Sequence, residues 1–145
     1  MKNRYTIAIV CLVLGALALS GVAFGHGTEK HGKTAPADAQ MKKLHAMMPM
    51  FSIASAKLEA ALEKGDAAAA ESEAHRIVVA LPDLKKSRPH KNFSQKKKFV
   101  DLANSLGTAV NLTTELAKKD DFAGAMGAFK KVEQACMACH AMFRD

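Results

Sequence analysis

The chain has no tryptophan, one tyrosine, four prolines and three cysteines in 145 residues. One cysteine, Cys11, lies inside an apolar leader and is given no role. The other two, Cys136 and Cys139, are three apart, and a disulfide framework needs its cysteines spread along the chain. Nowhere do apolar and polar residues alternate with a period of two, so no strand is expected. A phosphate-binding glycine loop, a Ser/His/Asp grouping and paired buried carboxylates are also lacking. Nothing is arranged for substrate turnover, and the expectation is a carrier and not an enzyme.

Residues 1–25 supply the leader. Lys2 and Arg4 precede an uncharged apolar run, and Ala23 and Gly25 sit at the offset for cleavage before His26. This reads as a secretory signal. A retained membrane anchor is the alternative, because the run is nearly long enough to span a bilayer. The chain carries a formal +7, and losing Lys2 and Arg4 with the leader takes it to +5. For an exported protein that balance points to anionic protein partners or a membrane surface rather than nucleic acid. Residues 26–40, rich in Gly, His, Lys and Thr, read as a flexible lead-in. Residues 41–145 then make one domain, large enough to bury a core without staples.

That domain reads as four helices. The first starts near Met41 or Met47 and runs to Lys64, with Leu44, Met48, Phe51, Ser55, Leu58 and Leu62 at helical spacing. Pro49 requires it either to begin near Met48 or to kink there. Lys64-Gly65-Asp66 then offers a C-terminal glycine and an N-cap for the second helix. Ala70, Ala74, Ile77, Val78 and Leu81 form the inner face of that helix, and Pro82 is expected to stop it. A basic loop follows. Ser94 is expected to cap the third helix, whose inner face is Phe99, Leu102, Leu106, Val110 and Leu116, and which breaks near Lys119 to Asp121. A faint echo relates Lys64-Gly65-Asp66 to the segment ending at Asp121, as two similar hairpins in an antiparallel four-helix bundle would.

The fourth helix holds the chemistry. Phe122, Met126, Phe129, Val132, Cys136, Cys139, His140 and Phe143 fall on one stripe, so the sequence C-M-A-C-H continues a buried helix face. Thiol redox chemistry would want the C-x-x-C at a helix N-terminus beside a βαβ pattern, and here it lies late in a helix. Structural zinc wants four ligands, and the mature chain has no further cysteine. Covalent haem accounts for every residue. Positions i, i+3 and i+4 share a face, so Cys136 and Cys139 can form the two thioethers while His140 turns to the iron.

With this motif near the C-terminus, the tail His140-Ala141-Met142-Phe143-Arg144, the signal and four helices, the chain resembles the class II cytochromes c. These are the cytochrome c-prime family and its low-spin relatives. The resemblance covers about residues 41–145, and it implies an all-α antiparallel four-helix bundle with one haem c on the C-terminal helix. It assigns Cys136 and Cys139 to haem attachment and His140 to the proximal iron position. Arg144 is placed near the haem edge or out in solvent. The short, very basic connection between helices two and three departs from common members.

The sixth iron ligand separates two functions. The resemblance points to a methionine early in the first helix of low-spin members, and Met48 is favoured here, with Met41 and Met50 as alternatives. Such a protein would carry single electrons between periplasmic redox partners, as a monomer or a homodimer. An iron with His140 alone would make a five-coordinate cytochrome c-prime binding NO or CO. A third class remains, a copper carrier using Met48, Met50 and His45 with His26 and His31. Methionine is also an ordinary core filler. The basic runs Lys42-Lys43, Lys85-Lys86-Arg88 with Lys91, and Lys96-Lys97-Lys98 are either a docking face for an acidic redox partner or a solvated surface. His75 and His90 read as surface or loop residues.

Overall fold

The structure, a computed structural model, describes residues 35–144. The expected signal segment, most of the expected lead-in and the histidines at positions 26 and 31 lie outside the described residues. Four helices follow one another: α1 (Ala35–Glu63), α2 (Ala67–Lys86), α3 (Lys96–Ala117) and α4 (Phe122–Phe143). No strand occurs among the described residues. Each helix packs on its neighbour in sequence, and α1 against α4 closes the antiparallel bundle.

One apolar seam runs through the middle. Leu58, Ile77, Val110 and Val132, one from each helix, are at or below 1% exposure. Around them alanines at 54, 70, 74, 103, 117 and 125 let the helices approach closely. Where α2 meets α3, a Cβ on Gly107 would fall 2.7 Å from Leu81 Cδ1, so any side chain there displaces Leu81.

Two of the three reversals share one design, which gives the sequence echo a physical basis. After α1, Gly65 N–H bonds Leu62 O and Asp66 N–H bonds Ala61 O. After α3, Asp120 N–H bonds Ala117 O and Asp121 N–H bonds Leu116 O. Both are Schellman closures, each with a left-handed residue, Gly65 at φ 69° and Asp120 at φ 58°. In both, the next residue caps the following helix. Asp66 accepts from Ala69 N–H and Asp121 from Gly124 N–H, each at 2.9 Å.

Three boundaries differ from expectation. Helix α1 begins at Ala35, ahead of Met41, so residues 35–40 of the expected lead-in are helical. Pro36 falls in its first turn, where a missing N–H costs nothing. The helix also runs through Pro49, with Leu44 and Phe51 buried on either side of it. Likewise Pro82 lies inside α2 and does not stop it. An interior proline costs about 3 kcal/mol, while burying a leucine returns about 1.5–3 kcal/mol. Leu81 and Leu84, at 6% exposure each, therefore hold the last turn in place. Ser87 ends it, with its N–H bonding Asp83 O and Leu84 O. Finally, Gln95 and not Ser94 occupies the N-cap of α3, without a side-chain cap bond. A tight turn closed by Gln95 N–H to Asn92 O at 2.7 Å sets that entry.

Two stability outcomes follow from this packing. Leu58→Ala should cost about 2–5 kcal/mol in denaturant unfolding. Asp120→Gly should stabilise by about 0.5–1 kcal/mol, because a non-glycine residue is strained at positive φ. Unchanged or lower stability for the second would contradict the left-handed assignment.

Candidate functional site

The antiparallel order gathers four segments at one end of the bundle: the first half of α1, the end of α2 with the loop 87–95, the start of α3 and the end of α4. Contacts tie them together. The Lys91 N–H donates to Phe143 O at 3.3 Å and the Asn92 side-chain amide donates to Met142 O at 2.7 Å. These are last-turn carbonyls that a helix leaves without partners. Phe143 is buried and packs edge-on against Phe99 of α3, centroids 5.2 Å apart. The tail residue Phe143 is thus a structural pin, and exposed Arg144 follows it with its N–H on His140 O.

Cys136, Cys139 and His140 lie consecutively on α4 at this end. At ~100° per residue, Cys136 and Cys139 fall within about 40° of Val132 around the helix axis. Val132 and Phe143 on that line are fully covered, yet the two cysteines are only half-buried. His140, about 80° round from Val132 by the same geometry, is exposed. The expected continuous buried stripe therefore holds for the cysteines in part and not for His140. The seam closes above and below the motif and loosens at it. On α1, at the same end, Met47, Met48 and Met50 are half-buried and pack against the core; Met41 is half-buried further out.

The electrostatics fit a haem-binding donor set better than a thiol redox pair. Burial pushes the Cys139 thiol up to about 11, with the neighbouring Cys136 adding to the shift. Burial and then Glu133 raise Cys136 as well. Both thiols stay protonated at neutral pH, the opposite of an activated thiolate. Partial desolvation, and then the Arg144 charge, push the His140 imidazole below its ordinary value. That favours the neutral ring, the form that binds iron. Among the described residues no three His, Cys, Asp or Glu side chains converge as a metal cage.

Sequence reasoning missed the pairing of His45 with His90. Their Nε2 atoms are 2.7 Å apart and their rings stack at 4.8 Å with 18° between planes. A hydrogen bond between them needs one ring to donate and the other to accept. The pair clips the loop to α1 while Asn92, left-handed at φ 51°, clips it to α4. Only Asn92, a residue type that tolerates positive φ, hinted at this in the sequence.

The bundle of four helices carries C-x-x-C-H on its last helix, the attachment signature of c-type haem. Residues 83–144 match the model of the cytochrome c′ family, which bears out the resemblance to the class II cytochromes c and supports a monohaem c-type cytochrome. No curated protein and no solved structure matches the chain. No described helix is long and apolar enough to cross a membrane.

Because the Asn92 amide fills an otherwise unpartnered carbonyl, Asn92→Ala should cost about 0.5–1.5 kcal/mol. Amide exchange at Lys91 should accelerate with it. Unchanged exchange would mean the loop is held without this bond.

Proposed function

We propose that this protein is an exported monohaem cytochrome that carries single electrons between periplasmic redox proteins. The observation that carries the reading is the placing of Cys136, Cys139 and His140 where the apolar seam loosens, at the end of the bundle that also presents the α1 methionines. Cys136 and Cys139 would hold one haem covalently, and the neutral His140 ring would take the proximal side of the iron. When bound, the haem supplies a one-electron couple. The half-buried methionines exclude water from that side, and Met48 is the favoured sixth ligand, with Met41 and Met50 as alternatives. Low dielectric and a fixed second ligand both keep reorganisation small on a change of charge.

A second reading has one finding in its favour, the match to the cytochrome c′ family itself. In it the methionines only pack, and the iron, held by His140 alone, takes up NO or CO. The copper carrier has less support, since His45 is engaged with His90 and the α1 methionines sit against the core.

Absorption spectra of the mature protein, oxidised, reduced, and reduced under carbon monoxide, test the proposal. A low-spin spectrum that ignores carbon monoxide is expected, with pigment that resists acid extraction. A high-spin spectrum that shifts at once under the gas would replace the carrier by the gas binder. In His140→Ala the pigment should stay attached through Cys136 and Cys139, while potential and spin state change. A wild-type spectrum from that variant would overturn the ligand assignment.

A further inference from the structure

The fold sorts the charges. At the end of the bundle that carries the motif, Lys42 and Lys43 on α1 join two basic runs that flank the loop 87–95: Lys85 and Lys86 closing α2 with Arg88 just after it, and Lys96, Lys97 and Lys98 opening α3. Lys91 in the loop and Arg144 after α4 lie at the same end. Two acids there are already held by lysines, Asp83 by Lys43 at 2.9 Å and Asp101 by Lys97 at 2.8 Å. The opposite end is mixed, with Glu59, Glu63, Asp66, Glu115, Asp120 and Asp121 set among Lys64, Lys118 and Lys119 around its two turns. A modest net charge thus hides an uneven distribution along the bundle, with the positive excess where the motif lies.

The basic end also has an apolar centre. Phe93, in the loop between α2 and α3, is 57% exposed. The Arg88 guanidinium sits 4.3 Å from its ring centroid and orients it. An aromatic and an arginine inside a charged rim is the anatomy of a protein-docking surface. The loop bearing Phe93 is bound to the last turn of α4 through Lys91 and Asn92. A partner seated on it would lie against the helix that bears Cys136, Cys139 and His140.

We propose that this basic end, centred on Phe93, is the docking surface for an acidic redox protein, and that electrons leave the molecule through it. This rests on the electron-carrier reading above. Charge complementarity selects the partner and speeds the encounter, while the short contact between loop and α4 sets the orientation.

The test uses the reduced holoprotein, its spectrum recorded first, and two one-electron oxidants of opposite charge. Hexacyanoferrate(III) is reduced to hexacyanoferrate(II), and tris(phenanthroline)cobalt(III) to its cobalt(II) form. The anionic oxidant should react faster at low salt and slow as salt rises, and the cationic one should not. Two variants of equal net charge then locate the effect. Lys86→Glu with Lys98→Glu, at the basic end, should slow hexacyanoferrate(III) about tenfold at low salt. Lys64→Glu with Lys119→Glu, at the far end, should slow it much less. Equal slowing by both pairs would overturn the proposal, whereas a haem-free or carbon-monoxide-binding preparation would sink the carrier reading instead. Binding of poly-L-glutamate should weaken in the Lys86/Lys98 variant and in Phe93→Ala. Binding to phosphatidylglycerol vesicles with none to poly-L-glutamate would replace the protein partner by a lipid surface.

Discussion

Four amphipathic helices can each hide only one stripe, and the stripes have only one another to hide against. That single requirement organises the molecule. It draws Leu58, Ile77, Val110 and Val132 into one dry seam. It keeps α2 helical past Pro82, because burying Leu81 and Leu84 together offsets the cost of the proline. It also keeps α1 continuous through Pro49, where Leu44 and Phe51 are both buried. Where the seam loosens, around Cys136 and Cys139, apolar thiols and methionines are left half-covered, and there the proposed haem site lies.

The two short reversals then decide what meets what. Schellman closures at Gly65 and Asp120 turn the chain within a few residues and cap the next helix with Asp66 and Asp121. Both lie at the same end, so the third and longer connection, the loop 87–95, must lie at the other, against the end of α4. That loop does more than connect. It supplies partners for the last carbonyls of α4, takes up His45 through His90, and displays Phe93. Motif, methionines and basic runs share one end as a consequence of topology.

The local devices were legible because they are local. Cys136, Cys139 and His140 belong to one helix, and their spacing alone puts them on one face. The Gly65-Asp66 turn and its echo at Asp120-Asp121 are written in adjacent residues. The stripes were read well at Leu58, Ile77, Val110 and Val132, and less well at Leu102 and Leu116, which are only partly buried while Ala103, Thr113 and Ala117 take the inner positions. Small residues carry little periodic signal, so an alanine-lined interface is hard to centre from sequence. Rules for prolines and caps misplaced the boundaries at Lys86 and Gln95, since tertiary burial and the Asn92 turn outweighed them.

By itself, then, the sequence determined the helical character of the described residues, the two turn designs and a C-x-x-C-H motif matched to the helical repeat. All of these depend on residues within a few positions of each other. Only the tertiary structure decided that His45 meets His90, that Phe143 and Asn92 lock the motif helix, that His140 is exposed while the cysteines are half-buried, and that Lys42 and Lys43 join the two basic runs beside the loop 87–95 at one end. Those outcomes join residues about 10 to 50 positions apart, and such distances are bridged by helix packing, which no local spacing encodes.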